Sequence, residues 1–244
     1  MQDKYVGDIG DFGKYALLKA LAKDSLRLAV VWYLNAVPEA NQDGKFTAYS
    51  HLKHCDAELY SELQFLIHSG KRSTREIERS TILPRATFYN ELVPCASGPC
   101  LSPARREAQQ KIRDSWFNAA LNSSAQADIA FLDPDNGIAS KNCFKHHRRS
   151  IKYVFQDEIE AFQRERKSVI LYQHRRRKTL PTQVHEQLHA FASVNKKAFA
   201  LSFNPGRIYY ILPSQDHHNI LRERATEFAK GVWNCCFSFI AGDA

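Results

Sequence analysis

The sequence has no run of the ~18–20 apolar residues that a membrane-crossing helix requires, which points away from a membrane partner. The stretch Met1 to Gly13 carries acids and glycines where an exported protein would carry an apolar leader core. Cysteine is sparse, with six in 244 residues. Disulfide scaffolds are short and cysteine-dense, so reduced thiols and a cytoplasmic location are expected. Cys95 and Cys100 stand at a spacing that can begin a zinc site, but no second pair follows at ligand spacing, and His51 and His54 lie far off in sequence. The cysteines are therefore expected to act as small apolar residues, with no resident metal. Internal repeats, low-complexity tracts and long linkers are also absent, which leaves one domain spanning 1–244.

What is present is core material and positive charge. The apolar fraction is 44%, with 15 Phe, 10 Tyr and 3 Trp, enough for one large core. The formal net charge is +8. Basic side chains release counterions from phosphates, so a nucleic-acid partner, RNA or DNA, is expected.

Periodicity places the elements. Phe12, Tyr15, Leu18 and Leu21 or Ala22 recur at helical spacing and predict a first helix over Asp11 to Lys23, capped by Asp11. Leu26 to Leu34 is a short apolar run rich in β-formers, the pattern of a strand buried on both faces. Between about Ser50 and Ser102 the rhythm weakens: helices at Ala57 to Ser69 and Ser73 to Ser80 and a strand at Ala86 to Val93 read as a small helical insertion. Ser102 and Pro103 open a helix to about Leu121. Strands follow at Asp128 to Leu132, Lys152 to Phe155, Ser168 to Gln173, Ala198 to Phe203, Ile208 to Leu212 and Val232 to Ile240, with helices at Leu180 to Val194 and Asp216 to Lys230. The alternation predicts an α/β fold: a doubly wound, mostly parallel sheet of seven strands, closed by an antiparallel hairpin around Asn204-Pro205-Gly206.

In such sheets ligands bind at the carboxyl ends of the strands. After Leu132 comes Asp133-Pro134-Asp135-Asn136-Gly137. Pro134 lacks an N–H and Gly137 permits positive φ, so the chain turns sharply and presents two carboxylates and an amide together. These can hold a metal, accept hydrogen bonds from an exocyclic amine, act as a base, or simply bond to their own turn. His174 ends a second strand as a candidate acid or base, followed by Arg175, Arg176, Arg177 and Lys178. With Lys145 to Arg149, including Arg148 and Arg149, these residues are expected to form a positive rim that binds nucleic acid. Near the start, Gly7, Gly10 and Gly13 recur at every third position among Asp8, Asp11 and Lys14, a spacing that allows close backbone approach. The segment precedes the first strand, so it is not a dinucleotide fingerprint. Asn35 to Gly44, after that strand, contains Pro38 and one glycine instead of a glycine-rich cofactor turn.

Taken together, these segments resemble the bacterial methyltransferase family that modifies an adenine exocyclic amine in large-subunit ribosomal RNA. That family opens with His-Ala-Gly-Asn-x-Ala-Asp-x-x-Lys-His; Tyr5 to Tyr15 runs alongside it without a gap, matching at Gly7, Asp11 and Lys14, with Asp8 in place of Asn. The family inserts a helical subdomain and carries Asp-Pro-Pro-Tyr after its fourth strand, where this chain has Asp133-Pro134-Asp135-Asn136. The resemblance implies a methyltransferase-like fold and S-adenosylmethionine as cofactor, held by Tyr15, Asn35, Glu91 and Asp133. It also implies that Asp133 accepts hydrogen bonds from the target amine and that Lys14 lines the active site, with His174 beside them as a further catalytic candidate. Two features depart from the family: the glycine-rich turn is missing, and Asn136 stands where a base-stacking Tyr is expected. Two other readings remain open. One is a metal-dependent hydrolase or nuclease that binds Mg or Mn through Asp133 and Asp135, helped by Asp157 or Glu158. The other is a non-catalytic nucleic-acid-binding protein on the same fold.

Overall fold

A computed structural model describes residues 1–23, 25–35, 44–95 and 102–241. Helix α1 spans Ile9–Ala22 and begins two residues before the predicted start. Asp8, not Asp11, is its cap: Asp8 takes an extended conformation and its carboxylate accepts from the Asp11 N–H. Strand β1 is Leu28–Val31. Helices α2 (Ala57–His68) and α3 (Thr74–Arg79) follow, the second capped by Ser73, and then β2 (Thr87–Tyr89). Helix α4 runs Pro103–Ser123, β3 is Ile129–Leu132, and β4 (Gly137–Ile138) pairs with β5 (Tyr153–Val154) in a separate two-stranded ribbon. The remainder is α5 (Gln156–Arg164), β6 (Ser168–His174), α6 (Leu180–Phe191), β7 (Phe199–Phe203), β8 (Arg207–Leu212), α7 (His218–Lys230) and β9 (Phe237–Ile240).

Among the described residues, seven strands form one sheet in the order β2-β1-β3-β6-β8-β7-β9. Strands β2, β1, β3 and β6 are parallel. Strand β8 runs against both β6 and β7, and β9 runs against β7. This is the expected mostly parallel sheet with its antiparallel hairpin at Phe199–Phe203 and Arg207–Leu212, extended by an edge strand. The final strand is shorter than predicted, because Val232–Cys235 form a 3-10 turn before β9.

Side chains along the central strands alternate between two cores, as the strand period of two requires. On β3, Ile129 and Phe131 join one core and Ala130 and Leu132 the other; Ile170 and Leu171 on β6 divide in the same way. The first core also holds residues of α1, α2 and α7, and the second holds those of α4, α5 and α6. The sheet is thus wound on both faces.

The described residues of the stretch read as an insertion, 50–95, share the core of the main sheet. Leu52, Leu59, Leu63, Leu66 and Ile77 pack in the same core as Leu17, Val30 and Phe131, and β2 belongs to the main sheet. Burying these apolar faces against α1 removes them from water at no cost in extra surface, which a separate lobe of this size would carry. No helix among the described residues is long and apolar enough to cross a membrane.

Helix α4 is mostly exposed, so its start depends on its cap. Ser102 accepts from the Arg105 N–H, and Pro103 fills the first position. Ser102→Ala is expected to cost about 1 kcal/mol in urea unfolding. An unchanged midpoint would show that the cap is idle.

Candidate functional site

The site is built where α1 passes the carboxyl ends of β1 and β3. The Asp133 N–H continues the ladder by bonding to Val31 C=O (3.1 Å), which fixes the carboxylate just past the strand. Lys14, in the second turn of α1, reaches it: Nζ lies 2.9 Å from Asp133 Oδ2 and 2.7 Å from Asp11 Oδ1, all three side chains being buried. The ammonium also faces the rings of Tyr15 (5.0 Å) and Trp32 (5.4 Å), a cation–π setting. Burial alone would lower the Lys14 pKa, but Asp11 and Asp133 outweigh it and keep the group charged. For Asp133 burial wins, holding its carboxyl above the ordinary range despite Lys14. Asp11 is raised for the same reason, and its second oxygen accepts from the Tyr15 hydroxyl (3.0 Å) and the Gly7 N–H (3.2 Å).

The glycine triplet has a packing cause. A Cβ on Gly10 would stand 2.4 Å from Arg207 Nε, and one on Gly13 would stand 2.7 Å from the Phe203 ring. Only hydrogen at these positions lets α1 lie against the tip of the β7–β8 hairpin. That contact brings Arg207 to Asp8 (3.4 Å). In the β6–β8 register Arg207 stands opposite His174, whose Nε2 lies 3.0 Å from the Tyr172 hydroxyl.

Asp135 completes the group. Its Oδ1 lies 2.8 Å from the Met1 ammonium, and its Oδ2 accepts from Gln2 (2.9 Å) and Asn35 (3.3 Å). Burial pushes the Asp135 carboxyl up, but these donors hold it below the ordinary range. The same ammonium donates to Tyr33 C=O (2.7 Å) and Asp133 C=O (3.3 Å). The carbonyl ends of β1 and β3, with Asp135, are thus engaged by the Met1 ammonium.

Lys14, Asp133 and His174 all line one cavity of about 320 Å³, together with Asp8, Asp11, Asp135, Tyr172 and Arg207. Phe46 stands in its wall with the side chain 66% exposed. Tyr15 is buried behind this wall and touches the site through Asp11 and the Lys14 ammonium. Asn35 reaches it through Asp135. Glu91 lies past β2, exposed and away from the cavity, its C=O accepting from the Trp116 indole. Residues 36–43, which hold most of the segment expected to carry a cofactor turn, lie outside the described residues, as does Cys100.

Several expectations are corrected. Asn136 does not face the cavity; its amide donates to the Tyr153 hydroxyl (3.2 Å). Asp157 and Glu158 are not near Asp133 as metal ligands. Glu158 is held by Arg113 in a buried two-point ion pair (2.8 and 3.0 Å), and Asp157 pairs with Lys145. The basic rim is also partly neutralised. Lys145 bridges Asp114 and Asp157, Lys178 pairs with Glu186, and Arg176 donates to Ile138 C=O. Arg148 and Arg149 are exposed at the start of a 3-10 turn that does not line the cavity. Arg175 and Arg177 are exposed directly after His174.

Arg207, Tyr172 and Phe46 are the cavity residues that sequence reasoning does not single out. The signal for Tyr172 is its place two residues before His174, on the same face of β6. Arg207 is marked only by following the Asn-Pro-Gly turn, and Phe46 has no local signal.

No family model and no curated protein matches the chain. Among solved structures, a Legionella pneumophila protein of the DUF519 family aligns with a TM-score of 0.46 at 14% identity, over 97% of this chain and 98% of that one.

Proposed function

We propose that the chain is an S-adenosylmethionine-dependent methyltransferase acting on the exocyclic amine of a nucleic-acid base, adenine in the first instance. One observation carries the reading: Lys14 and Asp133, 119 residues apart, meet at 2.9 Å in a cavity at the carboxyl edge of the sheet. That is the pair of positions at which the N-terminal motif and the Asp-Pro motif resemble the methyltransferase family.

Tyr33 C=O, Asp133 C=O and the Asp135 carboxylate receive the Met1 ammonium, so the amino-acid end of the cofactor would have to displace that group to use them. Asn35, past the end of β1, would meet the cofactor beside Asp135, to which it donates. When bound, the cofactor supplies a methyl group on a positively charged sulfur. The chain's own part is to orient and polarise the acceptor. The Asp133 carboxylate accepts a hydrogen bond from the amine and concentrates electron density on its nitrogen. Lys14, tied also to Asp11, fixes that carboxylate in place. The exposed ring of Phe46 offers the stacking face for an unstacked base that Asn136 does not. The exposed Arg175 and Arg177 supply phosphate contacts.

The metal-dependent reading is less favoured, because Lys14, tied also to Asp11, already neutralises Asp133 at 2.9 Å. A calorimetric titration with S-adenosylmethionine, then with magnesium or manganese, separates the readings. Cofactor binding supports the methyltransferase, metal binding alone the hydrolase, and neither the non-catalytic protein.

The polyanion contact has its own test. Replacing Arg175 and Arg177 with Ala is expected to weaken RNA or DNA binding and to flatten its salt dependence by about one unit of slope per lost phosphate contact. An unchanged slope would reduce the run to a solvated loop.

A further inference from the structure

Two 3-10 turns from distant parts of the chain, Ser50–Cys55 and Val232–Cys235, pack against each other between α2 and α7. Their contact joins cysteines 180 residues apart: Cys55 Sγ and Cys235 Sγ are separated by 3.8 Å. His54 Nε2 lies 3.6 Å from Cys55 Sγ, and all three donor atoms fall within 4.8 Å of one another. We propose that His54, Cys55 and Cys235 form a binding site for a soft tetrahedral divalent cation of the zinc class.

The spacing is that of ligands around such an ion. With Zn–S near 2.3 Å and Zn–N near 2.0–2.1 Å, tetrahedral angles separate two sulfurs by about 3.8 Å and a sulfur from a nitrogen by about 3.6 Å. The histidine is also pre-set. His54 Nδ1 lies 2.9 Å from the His51 C=O, which holds the proton on Nδ1 and leaves the Nε2 lone pair facing the sulfurs. Two thiolates and an imidazole select zinc-class ions over magnesium or calcium, which prefer oxygen. Binding forms two metal–sulfur bonds and one metal–nitrogen bond, and it releases the two thiol protons to solvent. The fourth position falls to water or to Cys236, whose Sγ is 3.8 Å from Cys235 Sγ. His54 and Cys235 are exposed, so an ion has a way in. The site is separate from the Asp133 cavity and does not depend on the reaction proposed there. Its consequence is mechanical: a bound ion fastens the turn before α2 to the turn after α7.

The test uses the full chain, reduced with a phosphine and titrated with Zn²⁺ against a chromophoric chelator, then with Co²⁺. One ion per chain is expected, with a thiolate-to-cobalt charge-transfer band and the intense ligand-field bands of a tetrahedral site. His54→Ala and Cys235→Ser, both at exposed positions, are expected to weaken binding at least 10–100-fold, roughly the loss known for outer partners alone. Circular dichroism identical to wild type confirms that these variants are folded. Zinc is expected to raise the wild-type melting temperature but not that of Cys235→Ser. The proposal is overturned if the reduced wild type takes up no stoichiometric zinc, or if both variants bind as it does. A Cys55–Cys235 disulfide on oxidation, with no metal uptake on reduction, overturns it equally.

Discussion

Asp133→Asn is expected to remove most turnover while sparing cofactor binding. Asn keeps the size of the side chain and one carbonyl oxygen, so Lys14 retains a partner there and its ion pair to Asp11 is untouched. What disappears is the buried charged acceptor that the proposed reaction requires for the amine. Losing one such group costs about 3–4 kcal/mol of transition-state stabilisation, or two to three decades in rate. The substitution leaves the backbone at residue 133 and the rest of the cavity wall in place, so affinity for S-adenosylmethionine should change little. In a metal-dependent hydrolase the same change would remove a ligand, and metal affinity would fall together with rate. Were Asp133 only a turn residue, Asn would mimic it and neither property would move. Titration calorimetry and initial rates on the two proteins separate these outcomes.

Lys14→Met has a different expected signature: loss of stability as well as activity. The ammonium is the cation shared by Asp11 and Asp133, both buried. Methionine fills much of the volume but leaves two carboxylates facing each other out of water. Removing one partner of a buried ion pair costs about 3–5 kcal/mol. For a chain of this length that lowers the melting temperature by roughly 6–20 °C. The repulsive part is separable, since in an Asp11→Asn background the same substitution should cost clearly less. Equal losses in both backgrounds would mean that Lys14 acts through packing alone. Comparison with Asp133→Asn is also informative, because that variant should stay close to wild-type stability while losing comparable activity.

The two substitutions bear on residues of unequal legibility. The segment Asp133 to Gly137 stands out in the sequence because Pro134 and Gly137 force a turn directly after an apolar strand, and strand ends are where such sheets bind ligands. Lys14 is legible through its spacing from Asp8 and Asp11 and through the N-terminal motif that the segment resembles. Its partner across the sheet is invisible locally, because a separation of 119 residues carries no periodic signal. Arg207 is hidden for the same reason: the Asn-Pro-Gly turn announces a hairpin but not the helix on which its tip rests. Asp8 and Asp11 compete for one cap, and only the extended backbone at Asp8 decides between them.

Charge misleads in two directions. Arg113 is fully buried on α4 beside Trp116, Phe117 and Ala120, a helical face whose first member is a cation paired with Glu158. The spacing 113, 116, 117 and 120 was the available signal, and the charge obscures it. Conversely, Lys145 and Lys178 count toward a basic rim in the sequence, yet the fold supplies Asp114, Asp157 and Glu186 to meet them. Strand β4 escapes notice because it holds only two residues, whereas helix α5 goes unread although Ile159 and Phe162 stand at helical spacing on its buried face.

The proposed methyl transfer would take place at Asp133. Its most direct test is incubation of the reduced full chain with methyl-tritiated S-adenosylmethionine and an RNA or DNA pool, followed by digestion to nucleosides and chromatography. Label is expected in an N-methylated base, adenine foremost, with the signal lower by two to three decades in Asp133→Asn. Absence of label from every nucleoside, or equal labelling by wild type and Asp133→Asn, would contradict it.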